Sequence, residues 1–590
     1  MLSRIERWLG SGSAPWIVIA IAIGLAAPAL TASFTADDHL HRVVSRDENT
    51  IDGLSASRFD LFVFANGDPH DAAQLRDGGL FPWWTDLRLK LAFWRPLSSA
   101  THAFDHALWP DNPTLHLAHN LLWHAIGLVL VWFLYRRFVP VRWIAVLALA
   151  LYAFDDARGP VVGWIANRNA LLALVLAIPA LLAHDRWRRD AWRPGRWLGP
   201  LAFVVALGAG ESAIAILAYI GAYTVWLDRG HWRDRLLALA PYALLLVGWR
   251  VVYGHLGYGT AGSGIYLDPG ADPMAFAHAV ATREPFLLLG QLGLPWSDLA
   301  SFYPLLGGLA VMLGVAVITI ALVGWACARL LARDPVSRFF ATGMLLAAVP
   351  VSSTFPADRL LTFVGLGAMG LVAQLLAATL RHRDQLGDGR FRRAACVVVA
   401  CGMFLVHLVL APPLLVLRSR SMVAVARVVE RADAGIPADP AATVIIAAAP
   451  SDALAGYTPL MREARHQPRP AHLYWLATAT TAVTFERLDE RTLRITPDGG
   501  FLRYEIDRMM RARPFAIGDA VALTGLTLEI ESVMPDGRPR SALAHFAAPL
   551  EDARFTWLRW EGHSYVPYAP PAVHGRTTLP AIDFLKLLED

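Results

Sequence analysis

Between residues 16 and 417 the chain returns again and again to apolar runs of roughly twenty residues, the length that crosses about 30 Å of hydrocarbon at 1.5 Å per helical residue. A soluble core cannot absorb so many such runs. The runs lie near 16–34, 115–135, 142–156, 161–183, 197–210, 211–227, 235–253, 304–332, 338–355, 359–380 and 394–417, about eleven by this test, and the third and fifth are short. Composition agrees: 55% of the 590 residues are hydrophobic and only 17% are charged. The net charge of +4 is carried in short clusters and not on one broad face, which excludes nucleic acid as a partner. The three cysteines, Cys327, Cys396 and Cys401, all lie in apolar runs without zinc-ligand spacing. The first run follows Arg4 and Arg7 and is read as a retained span, the alternative being a secretory signal cleaved near Ala32.

Short cytoplasmic loops carry the arginine excess of a membrane protein. With the N-terminus inside, the clusters Arg136, Arg137 and Arg142; Arg186, Arg188, Arg189, Arg193 and Arg196; Arg229, Arg233 and Arg235; Arg329, Arg333 and Arg338; and Arg381, Arg383, Arg390, Arg392 and Arg393 all fall on the cytoplasmic side. The opposite side receives 35–114, the turn at Asp155-Asp156, the turn before Glu211, the loop from Gly254 to about Tyr303, the turn at Asp358, and the tail. The expected domains are therefore a transmembrane domain over 1–420, including the long first loop 35–114, and a C-terminal domain over 430–590. Strand-like stretches Thr443 to Ala448, Thr492 to Ile495 and Leu526 to Val533, with turns at Pro497-Asp498-Gly499-Gly500 and Pro535-Asp536-Gly537, make that tail an α+β or mainly β soluble domain.

Polar residues cluster on the non-cytoplasmic side. Asp37 and Asp38 follow the first run directly, a placement that suits a general base facing a membrane-held substrate or, alternatively, a stop signal that keeps a helix end in water. His116, Asn120 and His124 recur at helical spacing, so one stripe of that helix faces a protein-lined cavity or lines helix contacts. No acidic partner completes a ligand set there, and no metal is assigned. Arg168, in Trp164-Ile165-Ala166-Asn167-Arg168-Asn169, enters an apolar run where it has to pair, snorkel or bind an anion, and its planar fork suits phosphate. Glu211 and Asp358-Arg359 head further runs. In the tail, Trp557, Trp560, Tyr565 and Tyr568 are either core residues or surfaces for sugar rings.

Taken in order, Asp37-Asp38, Trp94-Arg95-Pro96-Leu97, His119-Asn120-Leu121-Leu122-Trp123-His124, Gly163-Trp164-Ile165-Ala166-Asn167-Arg168-Asn169, Gly210-Glu211-Ser212 and Ala357-Asp358-Arg359 resemble the membrane part of the GT-C superfamily of polyprenyl-phosphate-sugar-dependent glycosyltransferases, in particular its protein O-mannosyltransferase-like branch with the TPR-containing enzymes. The likeness covers about the first 380 residues. It departs from the family pattern in lacking a TPR array, a lysine before Glu211 and an aromatic stretch after Arg359. The resemblance implies a GT-C-like fold and an inverting transfer of sugar from a polyprenyl-phosphate donor in the bilayer to a hydroxyl of a protein, lipid or polysaccharide acceptor. It implies Asp38 as the base, with Asp37 as alternative, and Arg168, Arg359 and Arg95 at the donor phosphate. His116, Asn120, His124, Trp164, Asn169, Glu211 and Asp358 would line the site, and no cofactor is implied. A flippase of lipid-linked precursor and a non-catalytic scaffold are the competing readings. An arginine-rich, lysine-poor chain of this kind suggests a bacterial inner membrane with the active face and C-terminal domain periplasmic.

Overall fold

The computed structural model describes residues 2–46, 50–304, 307–381, 386 and 389–583; Arg383, part of the eighth apolar run and the last residues of the tail lie outside them. Each of the eleven apolar runs contains a helix. Among the described residues seven helices are long and apolar enough to cross a membrane: Ala14–Thr31, Pro113–Phe138, Ile165–Asp190, Trp232–His255, Leu309–Arg333, Val364–Arg381 and Arg390–Ala434. The other four predicted runs are the shorter helices Arg142–Phe154, Gly195–Leu207, Glu211–Trp226 and Pro335–Val351. The loop expected from Gly254 to Tyr303 instead contains a helix, Pro273–Leu292, whose second half buries Phe286, Leu287, Leu288, Leu289 and Leu292. Arg283, Glu284 and Pro285 interrupt its apolar pattern, which is why it does not read as a span.

The chain forms two compact units, and their boundaries differ from the expected 1–420 and 430–590. The first unit comprises Met1–Ser33, Trp94–Leu256 and Pro269–Met422; the second comprises Phe34–Phe93, Gly257–Asp268 and Val423–Asp590.

In the first unit Val364–Arg381 and Ile165–Asp190 are central, 83% and 78% buried, whereas Trp232–His255 and Leu309–Arg333 are peripheral at 17%. Without a hydrophobic driving force between helices in lipid, close approach and internal hydrogen bonds hold such a bundle together. Both are present. A side chain at Gly343 would meet the Tyr219 ring at 2.3 Å, and one at Gly367 would meet the Phe340 carbonyl at 2.3 Å. The Tyr219 hydroxyl donates to the Phe363 carbonyl (2.6 Å) and accepts from the Gly367 amide (2.8 Å), bridging the first turn of the central helix. Tyr152 and Tyr135 donate to the carbonyls of Thr362 and Leu366 at 3.0 and 2.8 Å.

The second unit holds three sheets: a small antiparallel one that joins Val63–Asn66, Lys90–Ala92 and Gly259–Ala261, and two bigger ones formed by the C-terminal segment. The larger of these two is antiparallel, in the order Arg576–Leu579, Val483–Arg487, Thr492–Pro497, Pro539–Phe546, Leu526–Val533, Ala520–Leu523. The other runs Ser564–Pro567, Phe555–Glu561, Thr443–Ala449, His472–Thr478, with its last three strands parallel. The almost fully buried, unalternating Thr443–Ala449 is what a central parallel strand requires. The excursion from Phe34 belongs to this unit because its aromatics complete the core. Trp83 and Trp84 are buried beside Phe501 and Phe515, and the Trp83 indole donates to the Leu476 carbonyl at 3.1 Å. At Gly79, φ is +80° and a Cβ would lie 2.5 Å from the Leu473 carbonyl oxygen, so only glycine fits.

Trp83→Ala is therefore expected to remove about 3–5 kcal/mol from the stability of the second unit. Denaturant unfolding followed by the fluorescence of the C-terminal tryptophans checks this. An unchanged midpoint would mean that 430–590 folds without the excursion.

Candidate functional site

The polar residues of the first unit fall into three linked groups. In the first, Arg95 and Glu211 meet. The backbone amide of Leu97 donates to Gly208 O at 2.9 Å and Ser98 Oγ donates to Ala209 O at 2.7 Å, docking the start of helix Pro96–Leu108 onto the turn before Glu211. Arg95 Nε then donates to Glu211 Oε2 at 2.8 Å, and the Tyr253 hydroxyl donates to Oε1 at 3.1 Å. Asn169 lies against Gly210 in the same turn.

The second group surrounds Arg168, which is wholly enclosed. Its Nε donates to Asn120 Oδ1 (2.6 Å), its Nη1 to Thr101 O (3.2 Å) and its Nη2 to His116 O (3.0 Å), and Nη2 lies 2.5 Å from Asp105 Oδ2. The Arg168 fork, which the resemblance places at a donor phosphate, is engaged here by protein acceptors, and neither it nor Asp105 has exposed side-chain surface. Asp105 Oδ1 also takes His119 Nδ1 at 2.7 Å, while Trp123 Nε1 donates to His119 Nε2 at 2.9 Å, an arrangement that puts the imidazole proton on Nδ1. His116, Asn120 and His124, at one helical spacing, are all buried. His116 Nε2 lies 3.0 Å from the Trp109 carbonyl.

Asn120 ties this group to the third. Its Nδ2 donates to Val162 O (3.3 Å) and Trp164 O (3.1 Å), fixing the backbone where helix Arg158–Gly163 ends. The Arg359 guanidinium lies over the Trp164 ring at 5.0 Å and faces the Phe355 ring at 5.2 Å. Among the described residues Arg359 has neither a hydrogen bond nor an ion pair, and the buried Trp164 Nε1 has no acceptor. Next to it Asp358 is buried, receiving the Ser297 amide at 2.8 Å and the Ser297 hydroxyl. Arg418 binds Asp358 at 2.5 Å, Asp156 at 2.9 Å and also Asp298, with its guanidinium 4.7 Å from the Trp296 ring centre. Burial raises the Asp358 carboxyl above the ordinary carboxylate range, and Arg418 and Ser297 pull it back.

Asp105, Ser297, Asp298 and Arg418 were not among the expected site residues. Asp105 follows three residues after His102 and precedes His106 in a stretch otherwise poor in charge, and Arg418 closes the last apolar run. Neither position announces its partner.

Asp37 and Asp38 belong to the second unit, in the first turn of helix Asp37–Ser45, where the positive end of the helix dipole favours carboxylates. Asp38 is buried and accepts the Thr35 amide at 3.0 Å; Asp37 is half-buried and accepts the Tyr457 hydroxyl at 2.6 Å. Behind them His39 is 1% exposed. Burial, with the nearby Arg42 charge, lowers its pKa from 6.5 to about 3. The tail aromatics are packed: Trp557 Nε1 donates to Leu550 O at 2.8 Å, and Tyr565 is buried edge-on to Trp560.

Fold and site together define a polytopic helical membrane protein with a β-rich second unit. No protein-family model matches the chain, and no curated protein does. The crystal structure of ArnT from Cupriavidus metallidurans bound to undecaprenyl phosphate is similar over 79% of this chain and 90% of that one, at 16% identity and a TM-score of 0.36. ArnT in the apo state gives 78%, 86%, 16% and 0.37. The Archaeoglobus fulgidus oligosaccharyltransferase tethered to an acceptor peptide is similar over 78% of this chain and 64% of that one, at 12% identity and a TM-score of 0.39.

Two outcomes follow from the geometry. Arg168→Ala leaves the Asp105 carboxylate buried without its ion pair and is expected to cost about 3–5 kcal/mol. The double variant with Asp105→Asn should recover part of that loss, read as thermal unfolding in detergent. For His39, a folded pKa below the free value means that the unfolded chain binds the extra proton. Stability is then full above about pH 6.5 and declines as pH falls toward about 3, with a slope approaching 1.4 kcal/mol per pH unit. His39→Gln should flatten that decline in unfolding curves taken across the window.

Proposed function

We propose that the chain is a membrane glycosyltransferase of GT-C type, related to the protein O-mannosyltransferase-like branch, that transfers sugar from a polyprenyl-phosphate donor to an acceptor hydroxyl. The observation that supports this reading is Arg359: a cation held on two aromatic faces, near enough to Asp298 for its charge to act on that carboxylate but in no ion pair with it among the described residues, and beside an indole N–H without an acceptor. A partly buried guanidinium of this kind is stabilised by an anion, and phosphate matches its fork.

The acceptor oxygen attacks the anomeric carbon as the bond from that carbon to the phosphate oxygen breaks. The phosphate leaves with the bonding electrons, and the acceptor proton passes to a carboxylate. This single displacement inverts the anomeric centre. The Asp37–Asp38 pair supplies the base. Within it exposure favours Asp37, with Asp38 holding the turn through Thr35. Arg359 meets the leaving phosphate, where a fixed positive charge is most effective because negative charge develops there away from bulk water. Arg168 and Asn120 act through the backbone at Trp164 as positioning residues, and Arg95 is held by Glu211. The reading carries with it a bacterial inner membrane, with the acceptor met on the periplasmic face.

Transfer of labelled sugar from a panel of polyprenyl-phosphate donors, in membranes with matched protein levels, tests the proposal. Arg359→Ala is expected to lower turnover by about 10²–10³-fold, the range for removal of one donor at a developing oxyanion. Asp37→Asn should abolish transfer, and Asp38→Asn should reduce it. Absence of transfer by the wild type from every donor, or full activity of both aspartate variants, would overturn it in favour of transport or scaffolding.

A further inference from the structure

One end of the first unit carries a second cationic surface, away from the groups just described. The last turn of helix Ile165–Asp190 and the loop before Trp232 are joined by an ion pair: Arg188 Nε donates to Asp228 Oδ2 at 2.7 Å, and Arg188 packs against Gly230. Helices Gly195–Leu207 and Trp232–His255 follow these segments and pack together at Gly199, where a Cβ would lie 2.3 Å from the Tyr242 hydroxyl. Their adjoining starts present Arg193, Arg196, Arg229 and Arg233, all exposed, and none of the four guanidinium groups has an ion pair or hydrogen bond among the described residues. The neighbouring acids are mostly consumed, Asp228 by Arg188 and Asp190 by Arg137, leaving Asp234.

Two tryptophans frame the patch. Trp197 is 68% exposed with Arg196 over its ring at 5.0 Å; Trp232 is 55% exposed with Arg235 over its ring at 4.8 Å. Large indoles left bare at the start of apolar helices belong at the depth of lipid headgroups, where one side of the ring meets chains and the other meets water. Cations at that depth meet lipid phosphates before any soluble anion.

We propose that Arg193, Arg196, Arg229 and Arg233, flanked by Trp197 and Trp232, form a binding site for the headgroup of an anionic phospholipid. The arginines supply charge-assisted hydrogen bonds to the phosphate, and the indoles set the depth at which it is met. This inference does not depend on the glycosyltransferase reading, since it uses none of that site's residues.

The full chain, reconstituted in nanodiscs of an equal mixture of phosphatidylglycerol and phosphatidylcholine and then extracted, is assayed for retained lipid by native mass spectrometry. Wild type should retain phosphatidylglycerol preferentially. The variant R193Q/R196Q/R229Q/R233Q should lose about tenfold of that preference with its thermal midpoint unchanged. Arg540→Gln, an exposed arginine of the other unit, should keep it. If the fourfold variant does not fold, R193Q/R196Q and R229Q/R233Q are read separately, each with a loss of about threefold. Undiminished preference in the folded variants overturns the proposal. So does displacement of the lipid by millimolar inorganic phosphate, which would make the patch a site for free anions.

Discussion

A guanidinium placed among apolar helices has to be neutralised where it stands, and the arrangement around Arg168 follows from that requirement. The pair with Asp105 draws helix Pro96–Leu108 against helices Pro113–Phe138 and Arg168–Asp190, and the remaining donors of Arg168 fix Asn120 and two backbone carbonyls. Asn120 passes that order on to Trp164, and Trp164 carries Arg359. Thus the arginine that rests on rings is positioned through one that is saturated. Every link is short and lies within one unit, so displacing Arg168 has a route to Arg359 without touching it.

The same logic separates the cations of this unit by chemistry. Arg168 and Arg418 each sit among enough acceptors to be held permanently; Arg418 alone engages Asp156, Asp298 and Asp358. Arg95 pairs with Glu211 in a half-open position. Arg359 rests on aromatic faces and, among the described residues, has no ion pair, its charge reaching Asp298 only at longer range. A charge balanced by carboxylates gains little from a further anion, whereas one resting on rings gains a great deal.

Hydropathy and loop arginines were enough to read the helical character of all eleven runs, because membrane solvation acts locally on each segment. Helix Pro273–Leu292 escaped because Arg283, Glu284 and Pro285 break its pattern, although burial against the bundle holds it. The motif set brought Trp164, Arg359, Asn120 and Arg168 to notice but not their pairing: whether an arginine is open or saturated depends on partners contributed by other helices, such as Asp105. The tail was legible as strands from Thr443, Thr492 and Leu526 onward. Its completion by Phe34–Phe93 was not, since that segment has the composition of a loop and only the adjacent Trp83 and Trp84 hint at a core they could join.

That completion imposes an order on biogenesis. Trp83 and its partner Leu476 are 393 positions apart, and every spanning helix of the first unit after Ala14–Thr31 is made between them. During synthesis the early segment emerges with two indoles and no sheet to receive them, and it has to wait through the insertion of the membrane helices before its own fold exists. Chains delayed or truncated in that interval present exposed aromatic surface to whatever proteases and chaperones occupy the compartment. A stalled product would therefore be marked for removal by the absence of its last segment, even with every membrane helix already in place.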